Sequence, residues 1–262
     1  MQRPSPDVID AYCARFNVTP DVAWRDYLQL RLAEATSRDA ELKEACVWKG
    51  AFVMRFVLGS QRSSGDLDAT AGRVRRHTLD PKRMYQRLKK ACEDLGIELP
   101  KPQEVRPRDE ALTFDPIEWR DAAIGVVVTS IELSMREDLV LPARVRKVAT
   151  GLVDPFEVLH IDMNEQAAEK MRCLAQRNKI GDGWDVQLLW EWRTNLDVAV
   201  IRKAVASKLT SGKDHAKDAL ERVDIRYDNW DNERGRSLPR TGGPTKDEMR
   251  DACRAAIRAW IP

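Results

Sequence analysis

No run of eighteen apolar residues occurs anywhere in the 262-residue chain, so no membrane-spanning helix is expected. The opening MQRPSPDVID has no apolar h-region, which predicts no secretory signal and a cytoplasmic protein. Cysteine is sparse: the five, at 13, 46, 92, 173 and 253, are odd in number, widely spaced and without a CxxC pair. That pattern argues against a disulfide framework or a zinc site and predicts buried, reduced thiols. The three histidines (77, 160 and 215) have neither ligand spacing nor a nearby serine–aspartate arrangement, which removes a hydrolase triad. Neither sign of charge is in excess, with 44 basic against 42 acidic residues, so any nucleic-acid partner must be met by a local basic face. Only 13 glycines and few aromatic, β-rich runs incline the composition towards helix.

What is present is an ordinary globular mixture, 43% apolar and 33% charged, long enough for one large domain or two modest ones. TPDVAWRDYLQLRLAEA opens with Thr19 as N-cap and Pro20 at the first helical position, and Val22, Tyr27, Leu28, Leu30 and Leu32 supply its apolar stripe. RDAELKEA reads as a second helix. CVW is a short apolar entry to Lys49-Gly50, after which Phe52, Val53, Phe56 and Val57 fall at helical spacing until Gly59-Ser60. GDLDAT reads as a strand. Asp80-Pro81 caps a helix that Gly96 ends. Residues 98–120 are proline-rich and poorly patterned, which predicts a loop or irregular strands. AAIGVVVTSIELSMRE is the strongest strand signal in the chain. Past Gly151 the pattern turns helical through NEQAAEKMRCLAQRN, GWDVQLLWEWR, DVAVIRKAVASKL and KDEMRDACRAAIRAW, with a long polar loop over 226–245. The expectation is an α/β (α+β) domain over residues 1–150 and a helical domain over 151–262.

The chemistry begins with Asp66 and Asp68. On a strand, residues i and i+2 face the same way, so these carboxylates converge while Leu67 turns into the core. Paired anions repel unless a cation lies between them. Mg²⁺ suits, because it takes carboxylate oxygens together with substrate phosphates and water. Lys49-Gly50 adds a phosphate-type turn: glycine lets backbone N–H groups approach an anion and the lysine supplies positive charge. A phosphate cradle followed by paired carboxylates is what nucleotidyl transfer requires. Glu132, between Ile131 and Leu133 in the best strand, is the candidate third metal ligand.

These blocks carry a family resemblance. WKGAFVMRFVLG resembles the Lys-Gly-Gly-Thr-Ala-Leu-Arg block of the AbiEii toxins, nucleotidyltransferases of type IV toxin–antitoxin systems. RSSGDLDAT is similar to their Arg-Phe-Ser-Glu-Asp-Leu-Asp-Phe block, so that Arg62, Ser64, Asp66 and Asp68 match. In HIDMNEQAAEKMRCLAQRNKIGDGWDVQLLW, Glu169, Lys170, Asp182 and Asp185 match a later block. The resemblance spans about residues 20–190 and implies a nucleotidyltransferase fold with a mixed sheet and a helical C-terminal domain, using Mg²⁺ and a nucleoside triphosphate. It further implies active-site roles for Lys170 and a following aspartate. These lie about four helical turns apart, the lysine steadying phosphates and Asp182 or Asp185 acting as base or orienter. Asp66, Asp68 and Glu132 would hold metal, and Lys49, Gly50, Arg62 and Ser64 would line the nucleotide site.

The reading is thus a toxin that moves a nucleotide from an NTP to RNA, most simply a tRNA 3′ end, with a cognate antitoxin that need not touch it. Its rivals are transfer to a protein or small molecule, and a catalytically dead nucleotide-binding or interaction module. The departures from the family pattern bear on the last: Ala51 replaces a glycine, Gly65 an acidic residue, Ala69 a phenylalanine and Gly181 an arginine. Arg73, Arg75 and Arg76 form a basic cluster suited to an RNA backbone or to plain solvation. Trp190 and Trp192 suit helix packing more than base stacking.

Overall fold

The computed structural model describes residues 3–71, 80–97, 99, 111–134, 139–177, 179–209, 215–226, 230, 238–239 and 241–262. The chain forms two compact units, one of Met1–Gly59, Ser63–Leu139 and Ala143–His160, the other of Ser60–Arg62, Val140–Pro142 and Ile161–Pro262. Arg73, Arg75 and Arg76 and most of the expected 226–245 loop lie outside the described residues.

The first unit is built on a six-stranded mixed sheet. Its strands are β1 (Val47–Lys49), β2 (Asp66–Thr70), β3 (Ala111–Asp121), β4 (Gly125–Ser134), β5 (Arg144–Val148) and β6 (Phe156–His160), in the spatial order β3-β4-β2-β1-β6-β5. β2 runs parallel to β4 and β1 parallel to β6, while the other neighbours are antiparallel. Helices α1 (Pro6–Phe16), α2 (Pro20–Arg38), α3 (Ala40–Ala45), α4 (Gly50–Phe56) and α5 (Pro81–Glu93) complete it. Pro20 does stand at the start of α2. That helix is buried well beyond one stripe, from Asp26 to Leu30 without a break, because it packs on the sheet at β4 and β6 and also meets α1, α3 and α5. Its buried Glu34 is neutralised by Arg31 at 2.7 Å and by Arg38 one turn further on.

The alternation of β2 and β4 is as their sequences dictate. Leu67, Ala69, Ile131 and Leu133 are buried on the core face, with Leu112 and Phe114 of β3 beside them. β3 falls in the stretch expected to be loop or irregular strands and takes the second form; it tolerates Pro116 because it is an edge strand and its register shifts between Phe114 and Ile117. β6 lies where a helical pattern was expected to take over, and its short FEVLH owes its form to pairing with β1 and β5.

The second unit is helical: α6 (Met163–Gln176), α7 (Ile180–Glu191), a 3₁₀ turn (Arg193–Asn195), α8 (Val198–Lys208), α9 (His215–Arg226) and α10 (Lys246–Trp260). Small residues let α6 and α8 approach, Ala167, Ala168 and Ala204 being fully buried, and Trp260 of α10 tilts against Trp190 of α7. Thr245 and Glu248 form a capping box at the start of α10. The cysteines are free thiols; burial, with a smaller push from a neighbouring acid, raises those of Cys46 and Cys92 to about 12. Among the described residues no helix is long and apolar enough to cross a membrane.

Candidate active site

In the first unit, strand register assembles a polar row on the face opposite the core. Lys49 of β1 pairs with Asp68 of β2, and Asp68 pairs with Glu132 of β4, so three adjacent strands present these side chains in line. Thr113 of β3 extends the row, opposite Glu132. Asp66, two residues before Asp68 and opposite Ser130, shares the face. Burial follows the same alternation: Asp66 is exposed, Asp68 and Glu132 are half-buried, and Leu67 between the aspartates is fully buried. The Ser64 hydroxyl donates a short hydrogen bond to Asp66 Oδ1.

Gly50 follows Lys49 directly and opens α4 at φ +64°, a left-handed conformation that a side chain rarely adopts. A Cβ there would stand 2.7 Å from Asp68 Oδ2. Backbone and carboxylate therefore approach across a gap that only glycine leaves open. α4 is tied to α2 by Arg55, whose Nη2 and Nε donate to Asp26 Oδ2 at 2.7 and 3.1 Å, and Tyr12 donates to the same oxygen at 2.8 Å.

Among the described residues no three His, Cys, Asp or Glu side chains close around one point as a preformed metal cage. The donors still suit a hard divalent cation such as Mg²⁺. It is bound through one or two carboxylates, with water and substrate phosphates filling the rest of its shell. Asp66 is exposed and Asp68 and Glu132 are half-buried, so the three carboxylates are within reach of such an ion from solvent.

The second unit gathers the other sequence-identified residues: Arg62, Lys170, Asp182 and Asp185. The turn between α6 and α7 folds Lys170 back onto the aspartates, so that Nζ lies 2.7 Å from Asp185 and 3.2 Å from Asp182. The expected separation of about four helical turns is thereby closed, because α6 stops at Gln176 and α7 begins at Ile180. Arg62 grips Asp185 through Nε (2.9 Å) and Nη2 (2.8 Å), and Arg177 grips Asp182 through Nε (2.7 Å) and Nη2 (2.9 Å). Gly181 makes room for this: a Cβ would come within 3.1 Å of the Arg62 guanidinium.

The electrostatics follow from burial and partners. Burial alone would raise the two aspartates, but Lys170 and Arg177 beside Asp182, and Arg62 and Lys170 beside Asp185, outweigh it and hold both below the ordinary carboxylate range. Burial alone would lower Lys170, yet Asp185 and Asp182 outweigh it and hold the ammonium above its usual value. Aspartates so strongly ionised are poor proton acceptors near neutral pH and good orienters of cations. A neighbouring cluster joins Lys208 to Glu165 (2.8 Å) and Glu169 (2.6 Å), while Glu165 also accepts from the Val140 and Leu141 N–H groups at 2.9 Å each.

Sequence reading missed Arg177, which grips Asp182, and Gln29 and Thr129, which touch the chain just before Asp66. A glutamine on a helix and a threonine among valines carry no pattern that singles them out.

Comparison with known proteins adds the remaining evidence. The family model for the nucleotidyl transferase AbiEii toxin of type IV toxin–antitoxin systems matches residues 31–259. A search of curated proteins finds no match. Among solved structures, MenT4, a nucleotidyltransferase toxin from Mycobacterium tuberculosis H37Rv, is similar with a TM-score of 0.61 at 17% identity, over 95% of this chain and 88% of its own. JHP933 from Helicobacter pylori is similar with a TM-score of 0.60 at 15% identity, over 92% of each chain. At such identities the likeness speaks for the fold, whereas the family match spans most of the sequence. The chain belongs to the AbiEii family of nucleotidyltransferase toxins of type IV toxin–antitoxin systems.

Proposed function

We propose that this protein transfers a nucleotide from a nucleoside triphosphate to the 3′ end of an RNA, with tRNA as the acceptor class, in a Mg²⁺-dependent reaction that arrests growth. The observation that carries the reading is the row Lys49–Asp68–Glu132 across β1, β2 and β4, with Asp66 on the same face. Asp66, Asp68 and Glu132 are the proposed metal ligands, and Lys49, Gly50 and Ser64 line the triphosphate. Mg²⁺, when bound, would supply charge neutralisation at the phosphates and lower the cost of ionising the attacking hydroxyl. Lys49, next to Asp68 in the row, neutralises charge on the departing pyrophosphate, and Gly50 lets the main chain come close to it.

Arg62, Lys170, Asp182 and Asp185 form a separate charged cluster within the helical unit. Their mutual ion pairs and depressed carboxylates favour orientation over proton abstraction, so the aspartates fix Arg62 and Lys170 rather than act as bases. A cognate antitoxin follows from the type IV family, and no direct contact between the two is required.

The decisive experiment incubates the pure protein with each labelled NTP and total RNA, then sizes the labelled product. A tRNA-length product that shifts by one or a few nucleotides is expected. Label on protein or on a small molecule, with RNA untouched, would keep the transferase site and replace the acceptor. No consumption of any NTP, with or without RNA, would overturn the enzymatic reading for this chain.

A further inference from the structure

The segment entering β2 has every reason to be loose. Gly65 and Asp66 are exposed and Ser64 is half-buried, and a Cβ at Gly65 would meet nothing within 4 Å, so no packing restrains the glycine. Its two carbonyls are nevertheless anchored from the core side. Gln29 of α2, itself 2% exposed, donates from Nε2 to the Ser64 carbonyl at 3.1 Å and to Thr129 Oγ1 at 3.1 Å. Thr129 of β4, also 2% exposed, donates its hydroxyl proton to the Gly65 carbonyl at 3.0 Å. Each donor is used once, and the assignment is forced. A carbonyl and a hydroxyl whose proton is already committed can only accept, so the Gln29 amide must turn its NH₂ to both. Arg25, one turn earlier on α2, adds a longer contact to Ser63 Oγ at 3.4 Å.

We propose that Gln29 and Thr129 are positioning residues for the carboxylate site. By fixing the two peptide planes before Asp66, they set the direction from which Asp66 and Ser64 face the metal and the triphosphate. The inference rests on the assignment of Asp66 and Asp68 as metal ligands. Gly65, standing where the family pattern has an acidic residue, gives the loop the freedom that the clamp removes.

The test uses the full-length protein with Mn²⁺ alone as the probe, followed by titration and by electron paramagnetic resonance, alongside kcat and KM for the NTP. Thr129→Val keeps shape and loses the hydroxyl. It should weaken Mn²⁺ binding by about tenfold, in line with the loss of a hydrogen bond behind a metal-binding carboxylate. Thr129→Ser should restore binding to within about twofold of wild type, since the donor is retained. Gln29→Met should behave as Thr129→Val. Adding Gly65→Ala to Thr129→Val should recover part of the loss, because alanine stiffens the same segment without a clash. A Thr129→Val protein that is folded and binds Mn²⁺ as wild type does, while Asp68→Asn abolishes binding, would overturn the clamp and leave the carboxylate site standing. If Asp68→Asn itself binds Mn²⁺ normally, the carboxylate assignment has failed and the clamp falls with it.

Discussion

Gly50 answers two demands at one position, a left-handed backbone and a carboxylate oxygen where a Cβ would otherwise stand. The backbone conformation alone costs an ordinary residue about 1–2 kcal/mol, and the side chain would also displace Asp68. Gly50→Ala should therefore cut transfer by about a hundredfold, the usual scale of an ångström of misplacement at a reacting centre. Ala51→Gly, at the neighbouring buried position where the family pattern has glycine, should be tolerated. Initial rates with the identified acceptor check both. Asp68→Asn retains volume and loses the charge a hard cation requires, so transfer and growth inhibition should vanish while the circular dichroism spectrum is unchanged. Full activity in Asp68→Asn would falsify the metal assignment. Asp66→Ala should fail in the same way, since it removes the carboxylate that shares the face.

At the scale of elements, α6 and α7 are joined by a network of three cations and two buried anions: Lys170, Arg62 and Arg177 against Asp182 and Asp185. The imbalance decides which deletion hurts. Lys170→Met leaves each aspartate with its own arginine, whereas Asp185→Asn leaves Asp182 as the one carboxylate of the network against Lys170, Arg62 and Arg177. Asp185→Asn should cost about 3–5 kcal/mol, the scale for stranding a buried charge, and Lys170→Met less. Urea unfolding of the two variants tests the order. The pH dependence follows in sign. The aspartates' folded values lie below their ordinary ones, so their contribution is complete above pH ~4 and is lost as pH falls further. Lys170 is raised, so its contribution is complete below pH ~10 and is lost as pH rises through the folded value. Stability from this network should be flat in between. Lys170→Met should blunt the alkaline arm while the acid arm remains.

For the whole molecule, a net charge of +2 cannot attract RNA by itself, so binding must rely on local cations. Arg73, Arg75 and Arg76 supply the densest such group in the sequence around the carboxylate strand. Replacing all three with Gln should raise KM for RNA and reduce the salt slope of binding by about 2, at ~0.7 per phosphate contact on a single strand. KM for the NTP should change little. A filter-binding salt series on both proteins reads this, and an unchanged slope would assign the cluster to solvation.

How much of this was legible beforehand depended on how far apart the interacting residues lie. The period-2 pattern of Asp66, Leu67 and Asp68 determined a half-buried strand with both carboxylates on one face, and Lys49-Gly50 marked the strand-to-helix turn. These are local signals, written in alternation and in the conformational freedom of glycine. Family membership was legible for the same reason, because its blocks are short and contiguous. β6 was not, since it is a five-residue strand sustained by its neighbours, and β3 was legible only as a loop or irregular strand, since it carries a proline that only an edge position excuses. The tertiary structure alone decided that Asp68 stands between Lys49 and Glu132. Strand order and register are set by burying Leu67, Ala69, Ile131 and Leu133 together on one face of the sheet, and no local pattern encodes which strands become neighbours. It alone also turned Lys170 and Asp185 into partners 2.7 Å apart, because the helix break after Gln176 lets α7 return along α6, and a buried charge is stable there only where its counter-charge has been folded against it.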